Sequence, residues 1–148
     1  MWLVYAITAA IIWGLDYTLG EEIFKKRISP VSLLALEMLC GAIILGVISY
    51  FTQLKADVHL LLTDRKALWL FIAIMITFNL GNLLIFCSIQ AGKNATLAAL
   101  VELCYPIFTV FFTWFLFQQN HLTPSVIVGG TLIFAGIIII SYFNHVQF

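Results

Sequence analysis

Charge is what this sequence has least of. Aspartate, glutamate, lysine and arginine together make up 9% of the 148 residues, whereas a water-soluble domain carries about a quarter. That is too little polar surface to cover a soluble globule, and the composition points instead to an integral membrane protein. Acidic and basic residues balance at a formal net charge of zero. There is no basic run or stripe, which argues against nucleic acid as a partner. Cysteine is also scarce. Cys40, Cys87 and Cys104 all fall inside apolar segments, with no CxxC spacing and no neighbouring histidine. They read as small packing residues, and neither a metal nor a cofactor is expected. The N-terminus, MWLVYAITAA, lacks the basic region that opens a signal peptide, so it reads as a first spanning helix retained in the mature protein.

What the sequence does have is apolar length, with 63% hydrophobic residues. A helix crosses the hydrocarbon core in roughly 20 residues. Five runs meet that length, at about 2–24, 30–52, 67–90, 94–117 and 124–142. The expected fold is all-α, an integral membrane protein of five transmembrane helices in one domain over 1–148, with no internal repeat, linker or soluble part. Ser29-Pro30 and Thr123-Pro124 pair an N-cap hydroxyl with a proline at the first helical position, so each marks a helix start. Gly92 suits the end of the third span and Asn94 the cap of the fourth. Gln53 to Lys66 is the longest connection and is expected to lie along the membrane surface, and a short polar loop is expected over Gln118 to Leu122. Trp69 and Trp114, near segment ends, fit interface anchors. Gly129, Leu132 and Gly136 share one face of the last helix, which suits either ordinary helix packing or a dimer seam.

The fourth run, NATLAALVELCYPIFTVFFTWFLF, carries a carboxylic acid deep in apolar sequence, Glu102. Pro106 follows at the position whose N–H would bond the Glu102 carbonyl, and proline has none to give. The acid and a freed carbonyl thus occupy one level, with Pro106 a candidate hinge. Helix rise converts position into depth. Glu37 lies roughly 10 Å beyond Pro30 and Glu102 roughly 12 Å beyond Asn94, and Asn82 lies a similar distance before Gln90. Asp16 reaches a comparable depth if the first helix extends to Phe24. Every lysine and arginine falls in a loop, so these acids have no opposite charge within the membrane. A carboxylate alone in hydrocarbon takes a proton or recruits a cation. The bland alternative is a protonated acid bonded to a backbone carbonyl. Trp13, near Asp16, suits packing or a cation-binding wall.

Loop charges set orientation weakly. Lys25, Lys26, Arg27 and Lys93 share one side, while Lys55, Arg65 and Lys66 share the other. The positive-inside rule makes the first side cytoplasmic and puts the N-terminus outside. A near-balanced count also suits a chain that inserts both ways round.

At this point the residues resemble a known family. IIWGLDYTLGEEIFKKRISPVSLLALEML is similar to the first two helices of an EamA domain of the drug/metabolite transporter superfamily. ATLAALVELCYPIFTVFF and LTPSVIVGGTLIFAGIIII are similar to its last two. Trp13-Gly14, Ser29-Pro30, Pro106, Gly129-Gly130 and Ala135-Gly136 carry the likeness over nearly the whole chain. Where the family commonly has an arginine this chain has Glu37, and where it commonly has a glutamate before the last helix this chain has Asn120. Most members carry two copies of the domain and this chain carries one. With five spans per copy, fused copies are inverted relative to each other, and transporters of this type bind substrate between such repeats. The resemblance therefore implies a non-enzymatic transporter subunit in the cell membrane. It would pair as an antiparallel homodimer, or as a heterodimer with a related subunit. Its cargo would be a small amphipathic or cationic metabolite or drug, exported in exchange for protons. Glu102 and Glu37 are the leading proton or substrate ligands, Asp16 is third, and Asn82 and Tyr105 are candidate hydrogen-bonding groups. The alternatives are a non-transporting subunit of a larger complex and, by fold analogy, a lipid-linked-sugar flippase.

Overall fold

A computed structural model describes residues 1–119 and 123–144. The loop expected over Gln118 to Leu122 falls partly outside them, and Asn120 falls wholly outside. The described regular structure is helical: α1 Trp2–Lys25, α2 Pro30–Tyr50, α3 Leu54–Thr63, α4 Arg65–Gly92, α5 Ala95–Glu102, α6 Tyr105–Phe117 and α7 Pro124–Asn144. Five stretches are long and apolar enough to cross a membrane, with α5 and α6 together forming one of them, Ala95–Phe117.

The caps explain where the helices start. Ser29 Oγ accepts from the Ser32 N–H at 3.2 Å, with Pro30 opening α2. Asn94 Oδ1 accepts from the Leu97 N–H at 3.0 Å, and Thr123 Oγ1 from the Val126 N–H at 3.3 Å. Each bond satisfies one of the amides a helix leaves unpaired at its start. Asp64 does the same for α4, its Oδ1 accepting from Lys66 and Ala67 at 2.8 and 3.2 Å. That cap starts the helix at Arg65 rather than at the expected Ala67.

The connection over 53–66 contains a helix, α3, which packs against α2 and α4. One expectation needs correction: the run over 94–117 is two helical segments rather than one helix, for a reason tied to Pro106 and given below. Gly92 ends α4, as expected, and the residue just beyond it, Lys93, is left-handed with φ 50°. A side chain in that conformation costs about 1–2 kcal/mol, and the chain accepts the cost with a glycine one position away.

The chain divides into two compact units. One joins Met1–Thr18 to the described part of Asn94–Phe148, and the other is Leu19–Lys93. In the second, Phe86 and Ile89 of α4 are fully enclosed, and Phe24 and Leu34 are buried. Phe24 meets Phe86 edge-on with ring centroids 5.8 Å apart. In the first, the buried residues are Tyr17, Ala95 and Ala98. The alanines let backbones approach where lipid gives no hydrophobic drive to pack. Gly130 of α7 lies beside Ile107 of α6, where an added Cβ would make an ordinary contact at 3.7 Å. Ile44, Ile74, Ile138 and many like them are exposed, as lipid-facing side chains must be.

Candidate functional site

The site begins with a proline that cannot donate. Pro106 has no N–H for the carbonyl of Glu102, and its ring crowds the preceding turn. The backbone tightens through the gap. The Leu103 N–H still reaches the Ala99 carbonyl at 3.3 Å, but the Cys104 N–H turns to Val101 at 3.2 Å and the Ile107 N–H to Cys104 at 3.0 Å. These last two are three-residue steps in place of four, the tighter geometry common at helix ends. α5 therefore stops at Glu102 and α6 starts at Tyr105, with Leu103 and Cys104 forming the turn between them.

The break leaves a half-helix end at the acid. Glu102 is the last residue of α5, where the helix dipole is negative. An anion receives no help from that end, whereas a cation or a proton does. Unwound carbonyls and C-terminal half-helix ends are the groups with which membrane transporters hold coupling ions.

Glu102 is half-buried, and its carboxylate has a partner in α1. The Tyr17 hydroxyl donates to Glu102 Oε2 at 2.6 Å. That length lies within the ordinary range of O–H···O bonds, about 2.5–3.0 Å. The Tyr17 ring is 5% exposed and is braced by Trp13, whose ring meets it edge-on with centroids 5.7 Å apart. Trp13 is thus packed on Tyr17. Both partners of the hydrogen bond belong to the first unit, as do Asp16, Tyr105 and Pro106.

The other sequence-predicted residues are placed as follows. Asp16 is half-buried next to Tyr17 in α1. Tyr105 opens α6 and is 61% exposed, while its carbonyl accepts from Thr109 Oγ1 at 3.0 Å. Gly129, Leu132 and Gly136 lie along α7. A Cβ on either of these glycines would meet no neighbouring atom within 4 Å, and Leu132 is 68% exposed, so this face of α7 is open in the single chain. Glu37 is half-buried on α2 of the second unit. Asn82, also in the second unit, gives its Nδ2 to the Phe78 carbonyl of its own helix at 2.8 Å, and Asn79 does likewise to Met75 at 2.7 Å.

Tyr17 is the residue that sequence reasoning passed over. A signal for it exists: a phenol inside an apolar helix needs a hydrogen-bond partner, and Glu102 was the acid in search of one.

A model described as the EamA-like transporter family matches residues 1–142. Among curated proteins and solved structures, nothing matches the chain.

Proposed function

Because this chain belongs to the EamA-like transporter family, we propose that it exports small amphipathic or cationic metabolites or drugs in exchange for protons, with Glu102 as the carboxyl that alternates between proton and cargo. The chain is a multi-pass membrane protein of a transporter family. What supports the exchange reading is the 2.6 Å bond from Tyr17 to Glu102 Oε2 beside the break between α5 and α6. A carboxylate held by one neutral donor, at the negative end of a half-helix, can release that donor and take a proton or an organic cation instead. No bond to cargo is made or broken, so the chemistry is exchange at one oxygen pair. Tyr17 occupies Oε2 when neither is bound, and Pro106 leaves the turn at Leu103 and Cys104 free to bend.

Asp16 and Tyr105 are the further polar groups of the first unit assigned to cargo. Glu37 and Asn82 are those of the second, with Glu37 a second carboxyl for protons. The open face of Gly129, Leu132 and Gly136 is assigned to a second subunit. That partner is an inverted copy or a related chain, since transporters of this type hold cargo between inverted repeats. The cell membrane is the proposed location.

The test is proton-gradient-driven flux of an amphipathic cation in proteoliposomes holding this chain alone. The Glu102→Gln substitution should abolish exchange. Flux that persists when Glu37→Gln is added would refute the carboxyl mechanism. No flux with any cargo, together with a larger partner that co-purifies, would favour a non-transporting subunit.

A further inference from the structure

The break between α5 and α6 leaves three backbone groups without a backbone partner among the described residues. Pro106 cannot donate to the Glu102 carbonyl, and no other main-chain amide reaches it. The Leu103 carbonyl is in the same state, because the Ile107 N–H that would meet it in a regular helix turns to Cys104 at 3.0 Å. The Tyr105 N–H has no main-chain acceptor either. A hydroxyl one turn on does not help, since Thr109 Oγ1 already donates to the Tyr105 carbonyl at 3.0 Å. Tyr105 also brings a phenol, a group that needs a hydrogen-bond partner of its own in apolar surroundings.

The surroundings sharpen the question. The turn sits inside a membrane-spanning stretch, Ala95–Phe117, at least about two helical turns from either end. It is also uncovered, with Leu103 46% and Tyr105 61% exposed. Irregular backbone does not face lipid within the hydrocarbon; it persists where protein buries it or where it lines water. The chemistry of the groups decides between those two. Two carbonyls accept, while an N–H and a phenol O–H donate. Water does both and satisfies all four. An apolar helix of a second subunit would satisfy none of them, and a bare cation would leave both donors orphaned.

We propose that the turn at Leu103 and Cys104 lines a water-filled cavity that reaches the level of Glu102 inside the membrane. Protons and hydrated cations reach the carboxylate through it without crossing hydrocarbon. α2 makes the contrast: it runs as one unbroken helix over Pro30–Tyr50, so exposed Ile44 on it faces lipid. The inference rests on backbone hydrogen bonding and not on the transport reading, and its test needs no flux.

The test is thiol labelling of the whole chain in liposomes, with a charged methanethiosulfonate on both sides of the membrane. The thiolate is the reacting form, and hydrocarbon suppresses it. A chain with Cys40→Ala and Cys87→Ala keeps Cys104 as a probe and leaves the turn unaltered. With Cys104→Ala added, Leu103→Cys reports the exposed side of the turn and Ile44→Cys the lipid face. Labelling of Cys104 or of Leu103→Cys should run about a hundredfold faster than that of Ile44→Cys. Rates at both turn positions equal to the Ile44→Cys rate would overturn the proposal. Fast labelling that appears only after detergent separates subunits would assign the turn to a subunit interface and overturn it as well.

Discussion

Removing one oxygen from Tyr17 tests the site most directly. Tyr17→Phe keeps the ring and its edge contact with Trp13 and deletes the hydroxyl that reaches Glu102 Oε2 at 2.6 Å. Paired with Glu102→Ala, it closes a double-mutant cycle that isolates the bond. Two magnitudes compete. Hydrogen bonds to a charged group are worth about 1.5–3 kcal/mol, whereas polar pairs inside membranes average about 0.6 kcal/mol and reach about 1.7. Both residues lie in membrane-spanning stretches, so the membrane range applies and the expected coupling is about 0.6 kcal/mol or more, up to about 1.7. The assay is reversible unfolding of the four variants in bicelles, followed by intrinsic fluorescence. A coupling below about 0.3 kcal/mol, well under the membrane average, would mean that the bond does not hold these helices, and the exchange mechanism would lose its resting state.

Four further outcomes follow from the same structure. Pro106→Ala returns an N–H to the Glu102 carbonyl and removes a cost of about 3 kcal/mol, so hydrogen exchange at Leu103, Cys104 and Tyr105 should slow while transport falls. Phe86→Ala empties an enclosed position and should destabilise the second unit by about 3–5 kcal/mol, read as a lower midpoint in thermal unfolding. Lys93→Gly relieves the left-handed backbone and should add about 1 kcal/mol of stability, read as a higher midpoint in thermal unfolding. Gly136→Leu, at a position where an added Cβ meets no neighbouring atom within 4 Å in the single chain, should leave the monomer folded and abolish crosslinking between subunits; unchanged crosslinking would move the interface off α7.

The sequence made some of this legible and hid the rest for identifiable reasons. Apolar length gave the spans. Ser29, Asn94 and Thr123 gave helix starts because a cap is a local device: a side-chain oxygen, and an amide two or three residues on. Asp64 obeys the same rule and was lost inside a segment that looked like loop. The lost bond at Glu102 was plain from Pro106, but whether the helix kinks or breaks depends on how the neighbouring amides rearrange. Here Cys104 and Ile107 took three-residue steps and broke it. Tyr17 was out of reach because its partner lies 85 residues away, and no local pattern encodes such a pairing. Lys93 eluded the sequence because the rule that puts glycine at a left-handed helix end names the cheapest residue, and here the left-handed position falls one residue past Gly92.

The turn at Leu103 and Cys104 also divides its span unequally. α5 has 8 residues and α6 has 13, or about 12 Å against about 20 Å at the α-helical rise. The two segments are therefore levers of different length about one fulcrum. A swing of about 10° there would carry the Phe117 end some 3.5 Å and the Ala95 end about 2 Å, by the same rise. The Tyr17–Glu102 hydrogen bond lies beside the fulcrum, where the backbone travels least. That pair can stay assembled while the distant aromatic end of α6, Phe111 to Phe117, makes the larger excursion.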